Sequence, residues 1–142
     1  MGKGYCLLTQ IHNGDLTTCL GYRNPDELEK TIGTVLDKVI KDIPLEENEA
    51  ILHHSEGVDL VPSNIDLEAI EVGLVNNMSR EYMLKGYIDE VKSKYDYVII
   101  DCRPSLSMIT LNALACSDSV IIPVQAHYLS AKRNDTANSN DK

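Results

Sequence analysis

Phenylalanine and tryptophan are absent from this 142-residue sequence, so its hydrophobic core must be built from other side chains. We expect isoleucine, leucine and valine to supply that core, because they are the residues most often buried. A domain of this length buries about two-thirds of the surface of its unfolded chain, which is enough for a well-formed core. Length and composition therefore predict one domain with an aliphatic interior.

Basic residues are scarce as well. Lysine and arginine number 13 against 22 aspartates and glutamates, which gives a formal net charge of −9 at pH 7. Non-specific binding to nucleic acids depends on an excess of basic side chains that neutralise phosphates. We therefore expect no direct nucleic-acid binding by this chain alone.

Long apolar runs and paired cysteines are also missing. No apolar run approaches the ~20 residues that a membrane-spanning helix needs, and no signal-peptide core is recognised. The four cysteines lie far apart and form no Cys-x-x-Cys pair, which is typical of reduced thiols rather than of disulfides or zinc ligands. These are Cys6, Cys19, Cys102 and Cys116. The sequence predicts a cytoplasmic protein that does not associate with membranes.

The most informative segment is the apolar run Tyr97–Ile100, which ends in Asp101 and is followed by Pro104. An unbroken apolar run predicts a strand buried on both faces of a parallel sheet. An acid at the carboxyl end of such a strand lies where open α/β sheets bind ligands. A carboxylate there commonly holds Mg²⁺ beside a phosphate. The alternative is that Asp101 only caps the turn or the next helix.

Strand and helix patterns alternate along the rest of the chain, which predicts a doubly wound, mostly parallel α/β sheet. Strands are predicted near Tyr5–Leu8, Val58–Val61, Tyr97–Asp101 and Val120–Val124, with a short edge strand at Ile51–His54. Helices are predicted from Asn24 to the residue before Pro44, from Ser63 or Asn64 to Val75, from Ser79 to Val91, and from Ser105 to Ala115. Ser105 and Asn24 are the expected N-caps of their helices.

Two adjacent histidines, His53 and His54, raise the question of a metal site. Adjacent residues of a strand point to opposite faces of the sheet. The two rings therefore cannot easily bind one ion, and we expect no metal site at this pair.

Several segments, taken in order, resemble the ParA/Soj partition ATPases, a family of P-loop proteins with a deviant Walker motif. The resemblance covers about residues 14–132 with family-like spacing. Its segments are Gly14–Tyr22, Gly57–Asn64, Tyr95–Ser105, Leu111–Leu114 and Ile121–Gln125.

The resemblance implies a P-loop NTPase-like fold, with ATP and Mg²⁺ as ligands. Asp101 corresponds to the Walker B acid that holds the Mg²⁺ shell. Pro104 and Ser105 correspond to the second switch, and Gly14 closes the first. The resemblance also implies a ParA-type subunit or a ParB-type protein as partner. It divides the chain into a partial ParA-like domain, residues 1–132, and a polar tail, residues 133–142, that is expected to be disordered.

The sequence departs from the family pattern at the phosphate site. Within these 142 residues there is no GKGGxGK[ST] loop, whose amides and lysines cradle the phosphates. The family's first-switch pattern, Asp-x-Asp-Pro-Gln-Gly, aligns with residues 9–14, where Thr9 and Ile11 replace the two acids. His12 follows them, and a chance substitution explains it better than a replacement ligand does. The family is an ATPase, but we expect this chain alone to be inactive.

Two alternatives remain open. The chain could be an interaction module that pairs with an intact ParA-type or ParB-type partner. More remotely, Asp101 also resembles the phosphoacceptor of response-regulator receiver domains. Receivers need an acidic pair after the first strand, and residues 9–11 supply none.

Overall fold

The computed structural model describes residues 4–9 and 15–124 of the chain. The described strands are β1 (Gly4–Thr9), β2 (Leu52–His53), β3 (Val58–Val61) and β4 (Tyr95–Asp101). The described α-helices are α1 (Asp15–Cys19), α2 (Ile32–Ile40), α3 (Leu67–Leu74), α4 (Met83–Val91) and α5 (Met108–Cys116).

The four strands form one sheet in the order β2-β3-β1-β4. β1 lies between β3 and β4 and pairs with both in parallel, whereas β2 pairs with β3 in antiparallel orientation. Helices connect the parallel strands, as such crossovers require. The predicted α/β class with a mostly parallel sheet is therefore confirmed, and so is the short edge strand at His53.

β4 pairs with β1 in a register that contains one irregularity, and its side chains alternate between the core and the opposite face. An irregularity after Gly4 shifts the pairing, so that Gly4 lies opposite Tyr95 and Tyr5 lies opposite Tyr97. Val98 and Ile100 pack against the core cluster. Because successive side chains of a strand alternate between faces, Tyr97 and Ile99 point to the opposite face.

Helices α2, α3, α4 and α5 contact one another and enclose the core. The core is largely aliphatic, as expected, but its largest fully buried side chain is Tyr87. The Tyr87 hydroxyl donates a hydrogen bond to the Glu49 carbonyl oxygen at 2.8 Å, which satisfies its polar end inside the protein. In a chain without phenylalanine or tryptophan, this tyrosine fills the volume that an aromatic core residue would take.

The first long helix starts later than predicted. Asn24 makes no side-chain cap, and Pro25–Glu27 form only a 3₁₀ turn before the backbone extends at Leu28. Helix α2 instead begins after Thr31, whose side chain accepts from the Thr34 amide in a reciprocal capping box. The cap prediction was wrong because the Asn-Pro-acid pattern also starts a 3₁₀ turn.

Two further helix starts are shifted by a few residues. Helix α3 begins at Leu67, and Ser63 and Asn64 are buried ahead of it rather than capping it. Helix α5 begins after Ser107, whose hydroxyl accepts from the Thr110 amide at 3.3 Å. Ser105 is therefore not the N-cap, and it lies exposed in the preceding loop.

One strand prediction was wrong, and so was the burial predicted for another strand. Residues 120–124 form no strand, and Val120, Ile121 and Ile122 are 60%, 90% and 70% exposed. β4 was expected in the interior of the sheet, but it is the last strand of the described sheet, with Tyr97 65% and Ile99 53% exposed. Among the described strands, β4 pairs with β1 on one side only, and residues 120–124 pair with none.

The paired histidines have separate partners. His53 Nδ1 lies 2.6 Å from Asp59 Oδ1, and the Tyr95 hydroxyl donates to Asp59 Oδ2 at 2.6 Å. His54 Nδ1 accepts from the Glu56 amide at 3.3 Å. Asp59 thus links β2, β3 and β4 at the amino end of the parallel strands.

Glu49 is the buried acid of the loop after α2, with its side chain only 2% exposed. Burial is the largest single effect on the Glu49 carboxyl and by itself raises its pKa. The hydrogen bonds from Lys38 and from the Glu46 amide together outweigh burial, so the pKa of Glu49 lies below its ordinary value. The backbone around it is held in the left-handed region at Asn48 and Ala50. The ion pair with Lys38 fixes this loop against α2.

Asn112 ties two helices together from a fully buried position. Its Oδ1 accepts from the Leu84 amide at 3.0 Å, and its Nδ2 donates to the Arg80 and Met108 carbonyl oxygens at 2.7 and 2.9 Å. The side chain therefore supplies an acceptor to the first turn of α4 and a donor to the turn before it.

No helix among the described residues is long and apolar enough to cross a membrane.

The first prediction concerns the buried hydrogen bonds of the Asn112 side chain. Asn112→Ala leaves the buried Leu84 amide without its acceptor, so we expect a loss of about 2–3 kcal/mol in the free energy of unfolding, measured in urea. Asn77→Ala is the matched control, because Asn77 makes one exposed hydrogen bond to the Gly73 carbonyl. We expect it to cost under about 0.5 kcal/mol. Equal losses in the two variants would contradict a special role for Asn112.

The second prediction concerns pH. Because the folded pKa of Glu49 lies below its unfolded value of about 4.3, its stabilisation is full above that value and is lost as pH falls through the folded pKa. Glu49→Gln should be less stable than the native chain near neutral pH, and the difference should shrink below about pH 4. Urea midpoints across pH measure this.

The control is Glu47→Gln, whose side chain is 84% exposed in a long contact with Lys94. It should change stability little at any pH, because surface ion pairs contribute little. A pH-independent difference between Glu49→Gln and the native chain would argue against the Lys38 ion pair as its source.

Candidate functional site

The candidate site lies at the carboxyl ends of the parallel strands. Asp101 is the last residue of β4 and lies opposite Thr9, the last residue of β1. Asp101 is exposed, so its carboxylate reaches solvent at the edge where open α/β sheets bind ligands. Here the structure agrees with the sequence-based placement of the acid.

The residue after Asp101 is Cys102, and its surroundings do not favour the reactive thiolate form. Cys102 is half-buried, and its Sγ contacts the Ile100 carbonyl oxygen at 3.8 Å. Burial and then the negative charge of Asp101 raise the pKa of Cys102. Burial likewise raises the pKa of Cys116 to about 11. Both thiols therefore stay protonated near neutral pH, which disfavours nucleophilic chemistry at this loop.

The loop then carries the predicted switch residues. Pro104 and Ser105 are exposed, and the Ser105 amide donates to the Arg103 carbonyl oxygen at 2.8 Å, which closes a tight turn. The Arg103 guanidinium reaches Glu68 of α3 at 3.6 Å, a long ion pair between partly exposed side chains. The turn thus holds Pro104 and Ser105 close to Asp101 in the chain and at the surface.

An acid on α3 supports the far side of this loop and was missed by sequence reasoning. Glu71 Oε1 accepts from the Ile109 amide at 3.3 Å, in the first turn of α5. A carboxylate is favourable there because helix N-termini carry partial positive charge. The available signal was the position of Glu71 between Leu67 and Leu74, on the buried stripe of α3. An acid in such a stripe usually has a buried partner.

The end of β3 brings further polar groups to the same edge. Ser63 and Asn64 follow the strand and are buried, and the Ser63 amide donates to Thr17 Oγ1 at 3.3 Å. Within the part of the chain that the structure describes, Ser63 Oγ and Asn64 Oδ1 have no hydrogen-bond partner. Sequence reasoning assigned these residues to a helix cap and so missed their burial beneath α1.

The described residues contain no group of three or more His, Cys, Asp or Glu side chains placed to hold a metal ion. Among the described residues, Asp101 is therefore not part of a set of three or more such ligands. Mg²⁺ is commonly bound by one or two carboxylates together with water and phosphate oxygens. Asp101 fits that role, provided that a nucleotide and water supply the other ligands.

Gly14, His12 and Gln125 lie outside the described residues, as does the tail at 133–142. The remaining predicted site residues, Asp101, Pro104 and Ser105, lie on one surface loop. Their assignment to the Walker B and second-switch positions stays a prediction from the resemblance.

A sequence model of the AAA domain family matches residues 9–134. The chain is 37% identical over 132 residues to the sporulation initiation inhibitor protein Soj of Bacillus subtilis. This alignment covers 90% of the chain and 49% of Soj. The chain is also 44% identical over 98 residues to the chromosome partitioning protein ParA of Myxococcus xanthus. This second alignment covers 68% of the chain and 34% of ParA. The chain therefore spans half or less of these relatives.

A solved structure shows the same fold. Cobyrinic acid a,c-diamide synthase from Mycobacterium smegmatis, with a bound ATP analog and magnesium, superimposes with a TM-score of 0.78 at 34% identity. The alignment covers 97% of this chain and 56% of the synthase. The α/β sheet, the position of Asp101 and the match across most of the sequence all agree: the chain belongs to the AAA domain family and is of the ParA/Soj type.

Proposed function

We propose that this chain provides the magnesium side of a ParA-type nucleotide site and does not hydrolyse ATP by itself. The observation that carries the proposal is the exposed carboxylate of Asp101 at the carboxyl end of β4. ATP and Mg²⁺ are proposed as the ligands of the completed site, and the synthase that shares the fold was solved with an ATP analog and magnesium.

In this proposal Asp101 holds the water shell of Mg²⁺, and the metal supplies charge stabilisation at the phosphates. Gly14, Pro104 and Ser105 take the switch positions by resemblance. The turn at Arg103 supports this assignment, because it follows Asp101 directly in the chain and leaves Ser105 exposed. We assign no residue of this chain as a catalytic base.

The absence of hydrolysis follows from what phosphoryl transfer requires. The reaction depends mainly on positioning and on stabilising charge at the phosphates. The loop that does both in the family does not occur in these 142 residues, and Thr9 and Ile11 stand where the family has its first-switch acids. One carboxylate without a phosphate cradle can neither orient nor neutralise the transferred group.

A second candidate function is an interaction module that pairs with a ParA-type subunit or a ParB-type protein in the cytoplasm. The supporting observation is exposed apolar surface, at Tyr97 and Ile99 of β4 and at residues 120–122. Co-purification with an intact relative in the absence of nucleotide would favour this candidate, whereas ATP binding by the chain alone would favour the first. The net charge of −9 argues against direct nucleic-acid binding in either case.

The third prediction is that the purified chain releases no phosphate from MgATP above a mock preparation. Asp101→Ala should give the same background rate, because no active site is removed. Asp96→Ala is the matched control, since it removes another exposed acid from the same strand. Steady phosphate release by the native chain and by Asp96→Ala, lost in Asp101→Ala, would contradict the proposal.

The fourth prediction is that millimolar MgATP does not raise the melting temperature of the chain. A true site at about 100-fold excess of ligand over its dissociation constant adds ~2.7 kcal/mol, which raises the melting temperature by several degrees. Differential scanning fluorimetry measures this. A shift of that size, absent in Asp101→Ala but kept in Asp96→Ala, would show that the chain binds nucleotide alone.

A further inference from the structure

Two glutamates of α3 contact the two ends of the loop that follows β4. We call residues 102–107 the post-β4 loop. Glu68 and Glu71 lie three residues apart on α3, so their side chains project from the same side of the helix. Glu68 reaches Arg103 at the start of the post-β4 loop, and Glu71 reaches Ile109 just beyond its end.

The contact at the far end of the loop is the more sheltered one. The first amides of a helix have no acceptor within the helix itself. In α5 the Thr110 amide donates to Ser107, and the Ile109 amide donates to Glu71 Oε1 at 3.3 Å. Ile109 is buried, so the loss of its acceptor would leave a buried amide unsatisfied, which is costly. Glu71 therefore fixes the start of α5, and with it the far end of the post-β4 loop.

The contact at the near end is weaker. Arg103 Nη1 lies 3.6 Å from Glu68 Oε1, and the two side chains are 37% and 49% exposed. Ion pairs between exposed side chains contribute little to stability, and salt screens them. The Glu68 contact therefore holds the near end of the loop only lightly.

The middle of the post-β4 loop lies at the surface. Residues 104–106 are exposed, whereas Cys102 and Met108, at its two ends, pack against the core. The hydrogen bond from the Ser105 amide to the Arg103 carbonyl oxygen lies within the loop, so it does not attach the loop to a neighbouring element. The position of the exposed middle thus depends on how the two ends are held.

We propose that Glu71 is a positioning residue that fixes the start of α5, while Glu68 and Arg103 form a salt-sensitive latch that limits opening of the post-β4 loop. Through these contacts α3 sets where Ser105 lies relative to Asp101. The inference rests on the proposed function, because that function gives Asp101 and Ser105 their roles. Loop opening can be measured without a nucleotide, so its failure would be distinguishable from a failure of the proposed magnesium site.

Two cysteines allow loop opening to be separated from unfolding of the whole domain. Cys102 is half-buried at the near end of the loop, so opening of the loop exposes its thiol to a reagent. Cys116, at the end of α5, is also half-buried against the core and serves as the internal reference. Labelling of the full chain with a maleimide, followed by tandem mass spectrometry, measures the rate at each cysteine separately.

Substitutions of Glu71 test the far end of the loop. Glu71→Ala should raise the labelling rate of Cys102 about tenfold and leave that of Cys116 within about twofold, because it removes one buried hydrogen bond. Glu71→Gln should label at close to the native rate, because its side-chain carbonyl still accepts from the Ile109 amide. Glu90→Ala, which removes an exposed acid from α4, is the matched control and should label like the native chain. An equal rise at both cysteines, or no rise at Cys102, would overturn the positioning role.

Salt tests the latch at the near end. Between about 50 mM and about 500 mM NaCl, labelling of Cys102 relative to Cys116 should rise about two- to fivefold, because the exposed ion pair is screened. Glu68→Gln should show the higher rate already at low salt and no further rise. Glu47→Gln, which weakens the exposed ion pair with Lys94, is the matched control and should keep the native salt response. A salt response that is unchanged in Glu68→Gln would overturn the latch.

Discussion

Parallel pairing of β1 with both β3 and β4 is the constraint on which the rest of this structure depends. β1 lies near the start of the chain, and its two neighbours follow about fifty and ninety residues later. Each neighbour reaches β1 only because helices cross back over the sheet. The core forms where α2 to α5 cover one face, and the carboxyl ends of the strands come together at one edge.

The same pairing sets the positions of Asp101 and of the outer side of β4. It places Asp101 opposite Thr9 at the carboxyl edge of the sheet, the position proposed above for Mg²⁺. It also leaves the outer side of β4 open among the described strands, with Tyr97 and Ile99 exposed. A buried position for β4 would require a further strand against that side, and the described residues supply none. Site and open edge are therefore two consequences of one strand order.

The sequence predicted the parts of the fold that depend on local pattern. The strands at Tyr5–Leu8, Val58–Val61 and Tyr97–Asp101 were recognised because each is a compact apolar run, and their parallel pairing followed from the alternation with helices. Asp101 was placed correctly because an acid that ends a buried-type strand is a local signal.

What failed depends on neighbours that a local pattern does not specify. Residues 120–124 have strand-like composition but no described partner, and strand propensity is mainly a preference for a paired, half-buried surface. The helix starts moved from Asn24, Ser63 and Ser105 because good capping residues occur within a few positions of one another. Tertiary packing chooses among them, as burial of Ser63 against Thr17 shows. The support that Glu71 gives to α5 is likewise a contact between distant segments.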